Sequence, residues 1–110
     1  MGTIAELQVD IHENAKAHGW WDDERSFGDI IALIHSEASE ALEEYRNGKP
    51  AHYATMDNPA KPEGMAVELA DVIIRILDYA GKKGWDMEKI IREKHEYNKT
   101  RPYKHGNKVM

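Results

Sequence analysis

The side chains able to do chemistry together are two acid pairs, Glu37-x-x-Glu40 and Glu68-x-x-Asp71. A spacing of three sets both carboxylates of a pair on one helix face, about one turn apart. If the helices carrying them pack antiparallel, four carboxylates converge. Like charges at that range oppose each other's ionisation, so the arrangement makes sense mainly around a divalent cation. The chain has no cysteine, and neither pair is Glu-x-x-His. That leaves an all-oxygen ligand set suited to Mg2+, with Mn2+ as the second choice, rather than to zinc or di-iron. Magnesium held by few protein carboxylates keeps positions open for substrate phosphates.

Such a constellation needs two long helices. Residues 63–83 supply one: Pro62 suits its first turn, and Gly81 with Gly84 suits its end. At about 100° per residue, Leu69, Ile73, Ile76 and Ala80 fall on one flank and Val67, Ala70, Ile74 and Leu77 on another. Only a narrow strip is charged, formed by Glu68, Asp71, Arg75 and Asp78. A helix apolar nearly all round is normally buried, so this strip faces either water or groups that compensate it. The other long helix runs from near Ser26 to Tyr45 or Arg46, stopped by Asn47-Gly48. Its apolar stripe is Ile30, Ile31, Ile34, Ala38, Ala41 and Leu42, with Glu37, Glu40 and Glu44 along one edge.

Two shorter helices complete the pattern. Thr3-Ile4-Ala5-Glu6 fits a capping box that opens a helix reaching about His18, with Gly19 stopping it. Asp86 caps a helix lasting to about Asn98, and Arg101-Pro102 ends it. Trp20-Trp21-Asp22-Asp23 is a connector whose tryptophans either lid the core or pack on a flat ligand such as a base. Residues 47–62 form a proline-punctuated loop, long for a helical bundle. The expectation is an all-α, four-helix domain over residues 1–110 with a basic tail over about 99–110.

Length allows one domain and a modest core. Net charge is -5 with a pI near 5.6, which argues against a general nucleic-acid binder. Without cysteine there is no disulfide, thiolate zinc site or cysteine nucleophile. Residues 1–10 lack both the basic region and the apolar run of a signal peptide. Four charges near the middle of residues 63–83, at Glu68, Asp71, Arg75 and Asp78, are too many for a membrane span. A cytoplasmic protein with no membrane or nucleic-acid partner is expected.

Beyond these readings, the chain resembles the MazG-like, all-α NTP pyrophosphatase superfamily. The match consists of Glu37-x-x-Glu40, a spacer of residues 41–67, and Glu68-x-x-Asp71. The closing Asn98-Lys99-Thr100-Arg101-Pro102-Tyr103-Lys104-His105-Gly106 looks like that of small phage and bacterial MazG-like proteins. One departure is Ser36, where the family often has a further Glu. The resemblance implies hydrolysis of a nucleoside triphosphate between the α and β phosphates, giving monophosphate and pyrophosphate. It implies that Glu37, Glu40, Glu68 and Asp71 hold Mg2+ and that one acid, with Glu40 foremost, orients or deprotonates the water. His12, Trp21 and Asn98 stand in places similar to those of the family's nucleotide pocket, and Lys99, Arg101 and Lys104 are candidates for phosphate contacts. A homodimer or dimer of dimers is implied as well. Two rival readings stand beside it: a non-catalytic helical interaction module with solvated acidic faces, and a phosphoribosyl-nucleotide pyrophosphatase of the same architecture.

Overall fold

The structure, a computed structural model, describes residues 2–103. Four helices account for its regular structure: α1 (Ile4–Ala17), α2 (Phe27–Arg46), α3 (Met65–Lys83) and α4 (Met87–Lys99). Local chemistry sets most of their ends. Thr3 Oγ1 accepts from the Glu6 amide at 3.0 Å while the Thr3 amide donates to Glu6 Oε1 at 3.1 Å. Ser26 and Asp29 make the same reciprocal pair at the start of α2, a second capping box. Asp86 accepts from the Lys89 amide and opens α4.

The start of α3 differs from expectation. Pro62 lies ahead of the helix, which begins at Met65 with Gly64 as its N-cap. The cause is a long-range contact. Tyr53 and Glu63 exchange two backbone hydrogen bonds, of 3.0 and 2.8 Å, and the Ala66 amide donates to the Ala51 carbonyl at 3.0 Å. Those bonds staple residues 51–66 and swing the chain into the helix through Gly64 at φ 116. A Cβ there would overlap the Ala51 carbonyl oxygen. Gly81 does not end α3 either. It lies inside the helix against the His12 side chain, where a Cβ would come within 2.7 Å of His12 Cβ. Gly84, left-handed at φ 74, is the C-cap.

α3 is the central element, with α2 and α1 packed on it, while α4 rests on α1. Two side chains tie that last contact: Glu88 accepts from the Ala5 amide, and Gln8 donates to the Trp85 carbonyl. Ile30, Ala41, Leu77, Tyr79 and Ala80 are the buried apolar residues among those described. Phe27 and Trp85 pack on Tyr79 at 5.6 Å each, closing the core around the start of α2 and the end of α3.

The orientation of α3 is unusual. Its charged strip turns inward: Asp78 is buried, and Glu68, Asp71 and Arg75 are half-buried. Its outer apolar flank stays uncovered, with Leu69 and Ile73 each 53% exposed. The all-round burial expected of this helix is therefore not met within one chain. The radius of gyration, 16.7 Å, exceeds the roughly 13 Å of a compact domain of this length, in keeping with an open arrangement. No helix of the described residues is long and apolar enough to cross a membrane.

The loop staple has a measurable consequence. Gly64→Ala should lower stability by about 2 kcal/mol in urea unfolding, because the new Cβ meets backbone and the φ is unfavourable. Gly48→Ala, at φ 68 with nothing within 4 Å of its Cβ, should cost about 1 kcal/mol. Equal losses would show that the staple does not constrain the entry to α3.

Candidate metal centre

α2 and α3 bring their acid-bearing faces together. One carboxylate oxygen each from Glu37, Glu40 and Glu68 lies within 4.8 Å of the others. Glu40 is exposed and the other two are half-buried. Asp71 stands outside this convergence, one turn along α3 from Glu68, near enough that its charge acts on the Glu68 carboxyl. The expected four-acid set is thus three acids together with a fourth beside them.

Glu68 carries the electrostatic consequence. Burial first, then a hydrogen bond shared with Glu40, then the charges of Glu40, Asp71 and Glu37 push its carboxyl from 4.5 up to about 7. Its Oε2 is buried, with no N–H or O–H facing it among the described residues. On the other side of the cluster, Arg75 Nε donates to Glu37 Oε1 at 3.1 Å, with both side chains mostly covered. Glu44, a turn beyond Glu40, accepts from Tyr53 Oη at 2.7 Å. That bond, with burial and the Glu44 and Glu63 charges, raises the tyrosine to about 12. The stapled loop is thereby fastened to the end of the acidic edge.

His12 and Trp21 are brought together, and the residue that joins them is Asp78. Its Oδ1 accepts from Trp21 Nε1 at 2.9 Å and meets His12 Nδ1 at 2.7 Å. Asp78 lies two turns beyond Asp71, about 10 Å along the helix. The His12 and Trp21 rings stand 6.1 Å apart, edge to face, and Trp21 also reaches Tyr79 at 6.4 Å. Asn98 and Lys99 lie at the end of α4, which packs on α1. There Lys99 Nζ pairs with Glu96 and the Asn98 carbonyl accepts from the Arg101 amide. Arg101 has its guanidinium 6.0 Å from the Tyr97 ring. None of these contacts leads to the acids of α2 and α3. Lys104, His105 and Lys108 lie outside the described residues.

Three residues gain importance that sequence reasoning had not given them. Arg75 and Asp78 belong to the charged strip of α3, so their presence was visible but their partners were not. Arg25 carried no periodic signal. Compared with protein-family models, curated proteins and solved structures, the chain has no significant match.

The raised Glu68 carboxyl makes metal-free stability depend on pH. Unfolded, Glu68 loses its proton near 4.5; folded, it keeps it to about 7. The folded state binds more protons in between, so the contribution is complete below 4.5 and is lost as pH rises through 7. Urea midpoints in a chelating buffer should fall by an amount worth about 2 kcal/mol from pH 4.5 to 8. Glu68→Gln should abolish that part of the fall and be the more stable protein at pH 8. An unchanged pH profile in Glu68→Gln would remove the like-charge account of the cluster.

Proposed function

We propose that this chain is a MazG-like, Mg2+-dependent nucleoside triphosphate pyrophosphohydrolase, taking NTP or dNTP and one water to the monophosphate and pyrophosphate. The observation that carries the reading is the meeting of Glu37, Glu40 and Glu68 within 4.8 Å across two consecutive long helices. The donor set suits a hard cation: oxygen only, partly shielded, with one buried oxygen lacking a partner. Glu37, Glu40 and Glu68 are the ligands on this reading, and Asp71 adds charge from the next turn. Mn2+ is an alternative ion for the same oxygens. When bound, the metal supplies charge to offset the phosphates and lowers the pKa of a bound water.

The chain's own groups divide the remaining work. Glu40, the exposed member, is assigned the proton of the attacking water, the role left open by Ser36. Arg75 holds Glu37 in its rotamer through the Nε bond. Asp78 fixes both His12 and Trp21, so any contact these make with the nucleoside is made by preset rings rather than mobile ones. The uncovered flank of α3 supports assembly as a homodimer or dimer of dimers, since Leu69, Ile73 and Ile76 are each at least a third exposed. Residence in the cytoplasm belongs to the same reading.

A pyrophosphate-release assay over the natural and modified triphosphates, with Mg2+, tests the activity. Glu37→Gln and Glu40→Gln should each lower turnover by a factor of about 100 or more, since each removes a charge at nearly constant shape. Without metal, Glu40→Gln should melt no lower than the parent, whereas Glu37→Gln, which takes the charged partner from Arg75, should melt lower while keeping its helical CD spectrum. Near-normal release by both variants would sink the assignment. The assembly is tested separately by light scattering: Ile73→Lys should shift the mass toward the single chain, and an unchanged oligomer would exclude this flank as the interface.

A further inference from the structure

An open cavity of about 490 Å3 lies between α1, the Trp20 connector and α3. Its apolar walls include Ile11, Ala15 and Ile74, and Arg25 and Arg75 also line it. Both guanidiniums stack on Trp20, with their carbons 3.5 and 4.3 Å from the ring centroid. Two guanidinium carbons that close to one centroid cannot share a face without overlapping. Arg25 and Arg75 therefore cover opposite faces of the indole, and no base can stack there. What remains open to a ligand is the hydrogen-bonding edge of each guanidinium.

Those edges are held but not satisfied. Arg25 Nε donates to the Trp20 carbonyl at 3.0 Å and Arg75 Nε to Glu37 at 3.1 Å. The Nη groups of both have no hydrogen-bond partner among the described residues, and Arg25 has no ion pair there. Asp78 also lines the cavity, but its Oδ1 is engaged by His12 and Trp21. Two cations fixed on one indole, beside low-dielectric walls, form a preorganised oxyanion site. A single carboxylate would satisfy one guanidinium. Two linked phosphates carry charge on neighbouring centres and suit a pair.

We propose that Arg25 and Arg75, clamped on Trp20, bind a pyrophosphate unit beside the acid cluster. On the hydrolase reading, on which only the origin of this anion rests, the unit is the β,γ end of the substrate and then the product. Arg75 joins the two places, because the same guanidinium touches Glu37. Phosphate-binding cations are then supplied from within the fold and not only by the tail.

Calorimetric titration of inorganic pyrophosphate into the full-length protein, at low salt and without divalent metal, is the test. Saturable binding is expected, weakened at least tenfold by Arg25→Met, with a nucleoside monophosphate binding far more weakly than pyrophosphate. Should Arg25→Met lose its helical CD signal, Arg25→Gln, which keeps an N–H donor near the Trp20 carbonyl, carries the same expectation. No saturable binding by the parent, or equal affinity in the folded variant, overturns the site. Equal binding of the monophosphate overturns its assignment to the pyrophosphate end. If triphosphates are hydrolysed but Arg25→Met leaves KM and pyrophosphate inhibition unchanged, the site falls and the hydrolase stands. If pyrophosphate binds through Arg25 but no triphosphate is cleaved, the reverse holds.

Discussion

Glu68, Asp71, Arg75 and Asp78 form one strip of α3, and that strip points into the fold. Glu68, Arg75 and Asp78 lose water there and recover the cost from partners. Asp78 does so through two donors on one oxygen, from α1 and from the connector. Arg75 does so through Glu37 of α2 and the face of Trp20. Glu68 has no cation of its own and instead shares a proton with Glu40. The positions of α1, α2 and the connector are thus set by which charge on α3 each one answers. Removing one partner would leave a buried charge alone, a costlier loss than removing an apolar contact of similar size.

Turning the charged strip inward has a geometric cost. The apolar side chains of α3 cannot all face the same neighbours, and Leu69 and Ile73 remain about half exposed. The buried apolar set is correspondingly small and, Ala41 apart, gathered around Ile30, Leu77, Tyr79 and Ala80. Burial at this scale offsets little conformational entropy. The polar centre and the bare flank are therefore two sides of one choice of helix rotation. A second chain over the flank would restore the usual balance of a buried helix, which is why assembly belongs with the proposed chemistry and not beside it.

The helices were legible because their ends are written locally. Thr3 with Glu6, Ser26, Asp86 and Gly84 each act within a turn of where they stand, and all of them mark ends in the structure. Pro62 and Gly81 misled because their surroundings come from far along the chain. The bridge between Tyr53 and Glu63 decides the first, and the approach of His12, 69 positions away in sequence, decides the second. The candidate site divides in the same way. Spacing of three put Glu37 and Glu40 on one face, and their meeting with Glu68 followed once two long helices packed. The relative rotation of those helices was not written locally. It set Asp71 outside the convergence and gave Glu37 to Arg75.

On the proposed reading, charge balance joins the proton, a metal and the arginine. Glu37, Glu40, Glu68 and Asp71 carry four negative charges when ionised, and Arg75 answers one of them at Glu37. In the absence of metal, Glu68 lessens the remainder by holding a proton to about pH 7. A divalent cation meets the same deficit with two charges, so on the proposed reading proton and metal compete for Glu68 near neutral pH. Metal binding would then release a proton beside the reacting groups and leave the cluster close to neutral overall. A triphosphate arriving at such a cluster is no longer opposed by it. The guanidinium already committed to Glu37 also lines the cavity of Arg25, so on the proposed reading it would stand at the border between the metal's oxygens and the place where the incoming negative charge is met.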